Sequence, residues 1–174
     1  MKKLTLLFIV LFVSFLYSQN MGVKAGAYAA LPMSDLGNVS SFGIGGSAQF
    51  EYKLDNALTL LGTSGYIQFL EKSGNGYSAS IIPITAGAKY GFGGGLYALA
   101  NVGLHMISQS VKIPSYTIGG VTYGGGSVSS STTEFGFSGG VGYEMGELDF
   151  TARFNQYASG WSALSLTVAY GFSF

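Results

Sequence analysis

Leu164-Ser165-Leu166-Thr167-Val168-Ala169-Tyr170-Gly171-Phe172-Ser173-Phe174 closes the chain, and it alternates without a break. Leu164, Leu166, Val168, Tyr170, Phe172 and Phe174 hold every second place, with Ser165, Thr167, Ala169, Gly171 and Ser173 between them. Successive side chains of a strand point to opposite faces, so this is a strand with one fully apolar face and one small, polar face. The same period of two recurs over residues 21–31, 42–54, 80–92, 96–106, 134–143 and 148–155. In 42–54, for example, Phe42, Ile44, Ala48, Phe50, Tyr52 and Leu54 oppose Gly43, Gly45, Ser47, Gln49, Glu51 and Lys53. An eighth strand lies between 57 and 69, where the phase changes. Leu58 and Leu60 share one register, and Leu61, Ile67 and Phe69 share the other, which predicts a bulge near Leu60 and Leu61. Pro83 lacks a ladder donor and predicts a second irregularity.

Composition narrows what eight such strands can build. The chain has 174 residues, room for one domain, with 28 glycines, 48% apolar residues and only 9% charged ones. Mean hydropathy is +0.37. So few charges make a poor water-facing surface, while the apolar content excludes a disordered chain. After the first twenty residues no apolar run approaches the ~18 needed for a spanning helix. Connections alternate in length. Short ones fall at Asp55-Asn56, 91–95 and 144–147; longer ones fall at 32–40, 70–76, 108–132 and 158–161. Alternation of short periplasmic turns with longer outer loops belongs to a transmembrane barrel. Residues 108–132, rich in Gly, Ser and Thr, read either as an unstructured loop or as a hairpin extending the fifth and sixth strands. The large apolar residues are too bulky to fill an eight-stranded lumen, so they face lipid and the small residues face inward. Closure also satisfies every backbone polar group, the main demand of hydrocarbon. The expected fold is all-β, an eight-stranded antiparallel up-and-down transmembrane β-barrel. Tyr28, Trp161, Tyr52, Tyr90, Tyr143 and Phe174 are expected in interfacial girdles.

The N-terminus reads as an address. Lys2 and Lys3 precede an apolar stretch, Leu4 to Tyr17, and then Ser18-Gln19-Asn20. This predicts a signal peptide over 1–18 and a barrel domain over 19–174, the alternative being an uncleaved anchor helix. The chain without its leader has six basic against eight acidic side chains, no electrostatic footprint for nucleic acid. It has no Cys, hence no disulfide, lipidated cysteine or thiolate metal site.

The leader, the eight alternating strands and the ending Tyr170-Gly171-Phe172-Ser173-Phe174 resemble the small outer-membrane barrels, the OmpA/OmpX-like proteins and the outer membrane protein beta-barrel domain group. The resemblance implies a cell outer-membrane location among outer-membrane lipids. It also implies that Tyr170, Phe172 and Phe174 form the assembly signal recognised by the barrel assembly machinery. It carries no catalytic residue.

Inward charges are sparse. Lys24, Glu51, Lys53, Lys89 and Asp149 fall near the periplasmic end, with Arg153 higher. Charges in a low-dielectric lumen must be paired or solvated, which predicts a polar network plugging the barrel, with a cation-lined pore as the alternative. Arg153 has no counter-charge adjacent on its own strand, so Glu51 across the lumen is its expected partner and Asp149 the second choice. His105, the only His, reads as a polar lumen residue. A hydrolase or acyltransferase would need it beside a Ser (Ser108, Ser110 or Ser138) and an acid such as Glu134. Glycine clusters at 43–46 and 91–95 lack the Lys-Ser/Thr and helix of a phosphate loop. No cofactor or metal is expected. The function expected is structural or surface-interaction, with specificity for an extracellular ligand in the outer loops and a monomeric barrel. A narrow porin is the alternative, and a lipid-modifying enzyme comes third.

Overall fold

The computed structural model describes residues 20–72, 74, 76–119 and 121–173. The expected signal peptide, residues 1–18, and Phe174 lie outside the described residues. Eight strands run in sequence order: β1 (Met21–Met33), β2 (Ser40–Lys53), β3 (Leu58–Glu71), β4 (Tyr77–Gly93), β5 (Leu96–Ile118), β6 (Val121–Met145), β7 (Leu148–Ala158) and β8 (Trp161–Ser173). Each pairs antiparallel with its neighbours and β1 closes on β8, from Gly22 opposite Ser173 to Met33 opposite Ser162. The eight-stranded up-and-down barrel is therefore as the alternation requires.

Parity decides which residue faces where. Leu60, Ile84, Val102, Leu104, Phe135, Phe137, Leu166 and Val168 are exposed on the outer wall, an apolar surface no water-soluble barrel would carry. Near the turn end Tyr90 packs edge-on against Phe92 and Tyr170 against Phe172, with ring centroids 5.5 and 5.0 Å apart. Tyr143 and Tyr52 lie on the same outer face. Tyr28 and Trp161 depart from the girdle expectation. Tyr28 is inward and buried, its hydroxyl 2.7 Å from that of Tyr157, and Trp161 packs half-buried on the inner apolar cluster.

Of the two irregularities expected from sequence, the bulge in β3 is absent and the one at Pro83 takes the form of an interrupted pairing. β3 keeps a continuous register against β2 and β4 at Leu60 and Leu61, with no bulge. Its phase looked broken because its inward residues Leu61, Ile67 and Phe69 are apolar, buried and part of the lumen filling. At Pro83 the pairing with β3 lapses between Ser64/Ile84 and Ile67/Ile81, then resumes in the same register. Losing one donor interrupts a ladder without shifting it. Bulges do occur at Ser41, Phe92 and Tyr157, where pairings skip a residue.

The connections divide the barrel into two ends. At the turn end Asp55 accepts the backbone N–H groups of Ala57 and Leu58, both at 2.7 Å, and these hold its carboxyl below its ordinary range. At the other end, the connection after β1 folds into a short helix, α1 (Ser34–Val39). The β7–β8 connection, expected to be long, is a tight turn in which Ala158 pairs with Trp161. Residues 108–132 form no loose loop. β5 and β6 run on as a hairpin that ends with Ile118 opposite Val121.

A closed ladder has no edge from which to unravel. The protein is expected to migrate faster in detergent gels before boiling than after it. Equal mobility would contradict closure.

Candidate functional site

The lumen is filled in three storeys. The lowest, at the turn end, is ionic. Lys24 from β1, Glu51 from β2, Lys89 from β4, Glu144 from β6 and Asp149 from β7 converge there. Lys24 Nζ lies 3.1 Å from Glu51 Oε1 and also contacts Glu144 and Asp149. Lys89 Nζ lies 2.9 Å from Glu51 Oε1 and 2.6 Å from Glu144 Oε1. Tyr97 donates to Asp149 Oδ1 at 2.5 Å, beside Thr151 at 2.6 Å, and the Lys89 ammonium stands 5.1 Å from the Tyr97 ring centre. The carboxylate oxygens of Glu51, Glu144 and Asp149 gather within 4.8 Å of one another, the size of a cation site. Two ammonium groups already fill that role.

Placement of the expected lumen residues is mixed. Lys24, Glu51, Lys89 and Asp149 come together. Lys53 does not; it is exposed at the rim and lines the open vestibule beneath the cluster. Glu144, which sequence assigns to the turn, joins in its place because β6 continues to Met145. Its parity with the inward Gly140 and Gly142 was the available signal. Arg153 does not meet Glu51. Its Nη2 donates to Gln49 Oε1 at 2.8 Å, and Gln49 Nε2 donates to Glu51 Oε1 at 2.8 Å. Gln49 and Glu51 share a face two residues apart, and the amide sits at the height Arg153 reaches. Matching by charge alone therefore selected the wrong residue.

Above this lies a chamber of about 30 Å³, reached by residues that include His105, Ser138, Arg153 and Tyr157. The top storey is apolar. Ile67, Phe69, Ile81, Ile107 and Tyr157 are buried, with Phe69 and Tyr157 edge-to-face at 6.1 Å. Leu36 of α1 drops into this cluster with no exposed surface. Asp35 N–H to Gly160 O at 3.0 Å and Lys72 Nζ to Gly37 O at 2.8 Å fasten the helix over the mouth. Among the described residues an ionic storey fills the lower lumen and an apolar one the upper.

Among the described residues no Ser and no acid hydrogen-bonds His105, and Ser138, on the same chamber wall, accepts from Asn101 at 3.4 Å. His105 is buried, edge-on to Tyr157 at 5.3 Å, and its Nδ1 has no hydrogen-bond partner. Ser108 and Ser110 bond across the hairpin to Ser131 and Ser129, and Glu134 accepts from Thr132.

The large lumen side chains are seated on glycines. A Cβ on Gly142 would lie 2.3 Å from the Tyr97 hydroxyl, and one on Gly136 would lie 2.6 Å from His105 Nδ1. These glycines are space reserved for a neighbour's ring.

No protein-family model matches the sequence, and no curated protein does. Solved structures share the fold. Ail, the attachment invasion locus protein of Yersinia pestis, in complex with the heparin analogue sucrose octasulfate, aligns with a TM-score of 0.61 at 12% identity, covering 87% of this chain and 97% of that one. Neisserial surface protein A aligns with a TM-score of 0.56 at 21% identity, covering 89% and 97%. A de novo designed transmembrane β-barrel aligns with a TM-score of 0.51 at 12% identity, covering 89% and 98%.

Proposed function

We propose that this chain is an outer-membrane barrel of surface-interaction type whose working part is the β5–β6 hairpin. The exposed apolar wall supports the membrane setting, and the likeness to Ail and Neisserial surface protein A agrees with it. In this reading residues 1–18 are an export leader and the turn end faces the periplasm. Tyr170, Phe172 and Phe174 present the assembly signal to the barrel assembly machinery, and the barrel works as a monomer. The filled lumen is a strut.

One observation carries the reading. β5 has 23 residues and β6 has 25, while the other strands have 11 to 17. β4 pairs with β5 only as far as Tyr77 opposite Val111, and β7 pairs with β6 only from Gln156 opposite Phe137. Beyond those points the two strands pair only with each other. The ribbon has two unlike edges. Lys112 and Pro114 guard the β5 edge, whereas β6 from Ser127 to Thr133 carries neither a charged residue nor Pro. An unguarded edge accepts an added strand through main-chain hydrogen bonds. Gly124, Gly125 and Gly126 all have positive φ and kink the tip opposite Pro114.

The chemistry of the ribbon constrains its partner. Residues 113–133 contain no charged side chain. The exposed cations at this end are Lys72 and Lys112, against exposed Asp35, Glu71 and Glu134. A sulfated polyanion of the kind bound to Ail therefore finds no cationic face among the described residues. An uncharged extended segment of a surface protein fits better.

The test is a photo-crosslinker at Ser130 on intact cells, compared with a barrel lacking 113–126. Wild type is expected to capture a partner, and the shortened barrel to fold without capturing it. An unlabelled Ser130 on intact cells, or an unchanged set of captured partners after shortening, overturns the reading. For the porin alternative the expectation is equally definite. Protein reconstituted in planar bilayers should show no resolved single-channel steps, and regular steps would favour the pore.

A further inference from the structure

The wall is one strand short beside the hairpin. β7 ends at Ala158 and turns back into β8 through Gly160, so above Phe137 no described strand pairs with the β7-side edge of β6. Continuing the register of Phe137 opposite Gln156 by two residues brings Phe135 level with Ala158, and Glu134 level with the turn. From there up to Ser127 the edge stands open over the missing length of the β7 column. An interior strand of an antiparallel sheet gives alternate residues to each neighbour. About half of the residues over 127–134 therefore turn both N–H and C=O to the open side.

The open column has an acidic floor. Glu134 is the one charged residue of β6 between Val121 and Tyr143, and it is exposed. Asp35 of α1, also exposed, lays its carboxylate against Gly160, in the space a Cβ there would take. Neither carboxylate makes an ion pair among the described residues. Glu134 accepts the Thr132 hydroxyl at 3.0 Å. The exposed cations of this end stand elsewhere: Lys72 is on Gly37 O, and Lys112 lies opposite Ser127 at the far end of the open edge. The column also has an apolar head. Glu134, Thr132, Ser130 and Val128 share the inner face, opposite His105, Ile107, Gln109 and Val111. Val111, Ile113 and Val128 are 44%, 48% and 63% exposed, a small uncovered apolar patch.

We propose that the open column takes one strand of a partner polypeptide, antiparallel to β6, with a Lys or Arg opposite Glu134 and a β-branched residue opposite Val128. This rests on β6 being the strand acceptor proposed for the hairpin, and it adds direction and pattern. Antiparallel pairing is the more stable sense per residue, and it sets the N-terminal end of the guest strand on the acidic floor. Opposite charges and β-branched side chains placed directly across from each other are pairs that stabilise a ladder. Between Glu134 and Val128 lie five hydroxyl residues, Ser129 to Thr133. The guest therefore runs from a basic residue through five small neutral ones to a β-branched one.

Three synthetic peptides are the probes: acetyl-KTTTTTVT-amide, its reversal acetyl-TVTTTTTK-amide, and acetyl-ETTTTTVT-amide. The full barrel, refolded in detergent with a photo-crosslinker at Ser130, is titrated with each. The first is expected to label the barrel at the lowest concentration. Half-labelling by the Glu peptide should need about two- to five-fold more, the worth of one cross-strand charge pair, and the reversed peptide should also need more. Glu134→Lys is expected to exchange the order of the Lys and Glu peptides, and Asp35→Asn to narrow the gap between them. Should Glu134→Lys fail to refold, Glu134→Gln is expected to erase that gap. Equal labelling by all three peptides, or an unchanged order in Glu134→Lys, overturns the direction and pattern and leaves β6 an acceptor. No labelling by any of them removes the acceptor itself, and the proposed function with it.

Discussion

Lys24→Met is expected to destabilise the refolded barrel by about 3–5 kcal/mol, the usual cost of breaking a buried ion pair from one side. The loss is large because Lys24 contacts Glu51, Glu144 and Asp149 together. Without it, three carboxylates within 4.8 Å share the single ammonium of Lys89. Asp149→Leu is expected to cost a similar amount, since it takes a buried acceptor from both Lys24 and the Tyr97 hydroxyl. The double variant should lose less than the sum, because the two residues are in direct contact. Glu144→Ala should cost below about 1 kcal/mol, because water already reaches that carboxylate. Urea titrations of the four proteins in detergent decide the matter. Strictly additive losses, or a Glu144→Ala loss as large as that of Lys24→Met, would show that the storey is not organised around Lys24.

Most of the fold was legible because a barrel wall is a period-two object with two contrasting solvents. Strands such as 164–174 report their faces directly: Leu166 and Val168 outward, Ser165 and Thr167 inward. The rule failed where the inner solvent changed. At the upper storey the lumen is itself apolar, so Ile67 and Phe69 inverted the contrast and β3 seemed to slip. Residues 108–132 stayed open between loop and hairpin for a related reason. Ile113, Pro114, Ser115 and Gly124 to Gly126 are all exposed, so parity has nothing to sort. The lumen charges were legible as a set, because inward parity selects them. Their pairing was not. Whether Arg153 meets Gln49 or Glu51 depends on the stagger of β7 against β2 across the lumen, which no single strand encodes. The seats for large side chains were equally invisible. Gly142 and Tyr97 are 45 positions apart in sequence and meet only through the β5–β6 register.

Those seats are the second place where a small change is expected to have a large effect. An ideal Cβ at Gly142 would stand 2.3 Å from both Cζ and Oη of Tyr97 and 2.8 Å from the carbonyl oxygen of Phe150. The wall cannot yield, because Phe150 is in the β6–β7 ladder. The ring must yield, yet its hydroxyl is held between Asp149 Oδ1 and Thr151 Oγ1. Gly142→Val therefore overpacks the lumen, ~1–3 kcal/mol. It also takes a donor from a buried carboxylate, another ~1–3 kcal/mol. A total loss of about 3 kcal/mol or more is expected. Gly139, three residues away on the outer face, supplies the control. Its nearest atom would be Leu99 O at 3.9 Å, so Gly139→Ala should be tolerated. Tyr97→Ala alone leaves a cavity and costs ~3–5 kcal/mol. Placing Gly142→Val in that background returns volume to the vacated space, so the pair should lose less than either loss added to the other. The barrel overturns this account if Gly142→Val unfolds at the wild-type urea midpoint, or if its loss is unchanged once Tyr97 is gone.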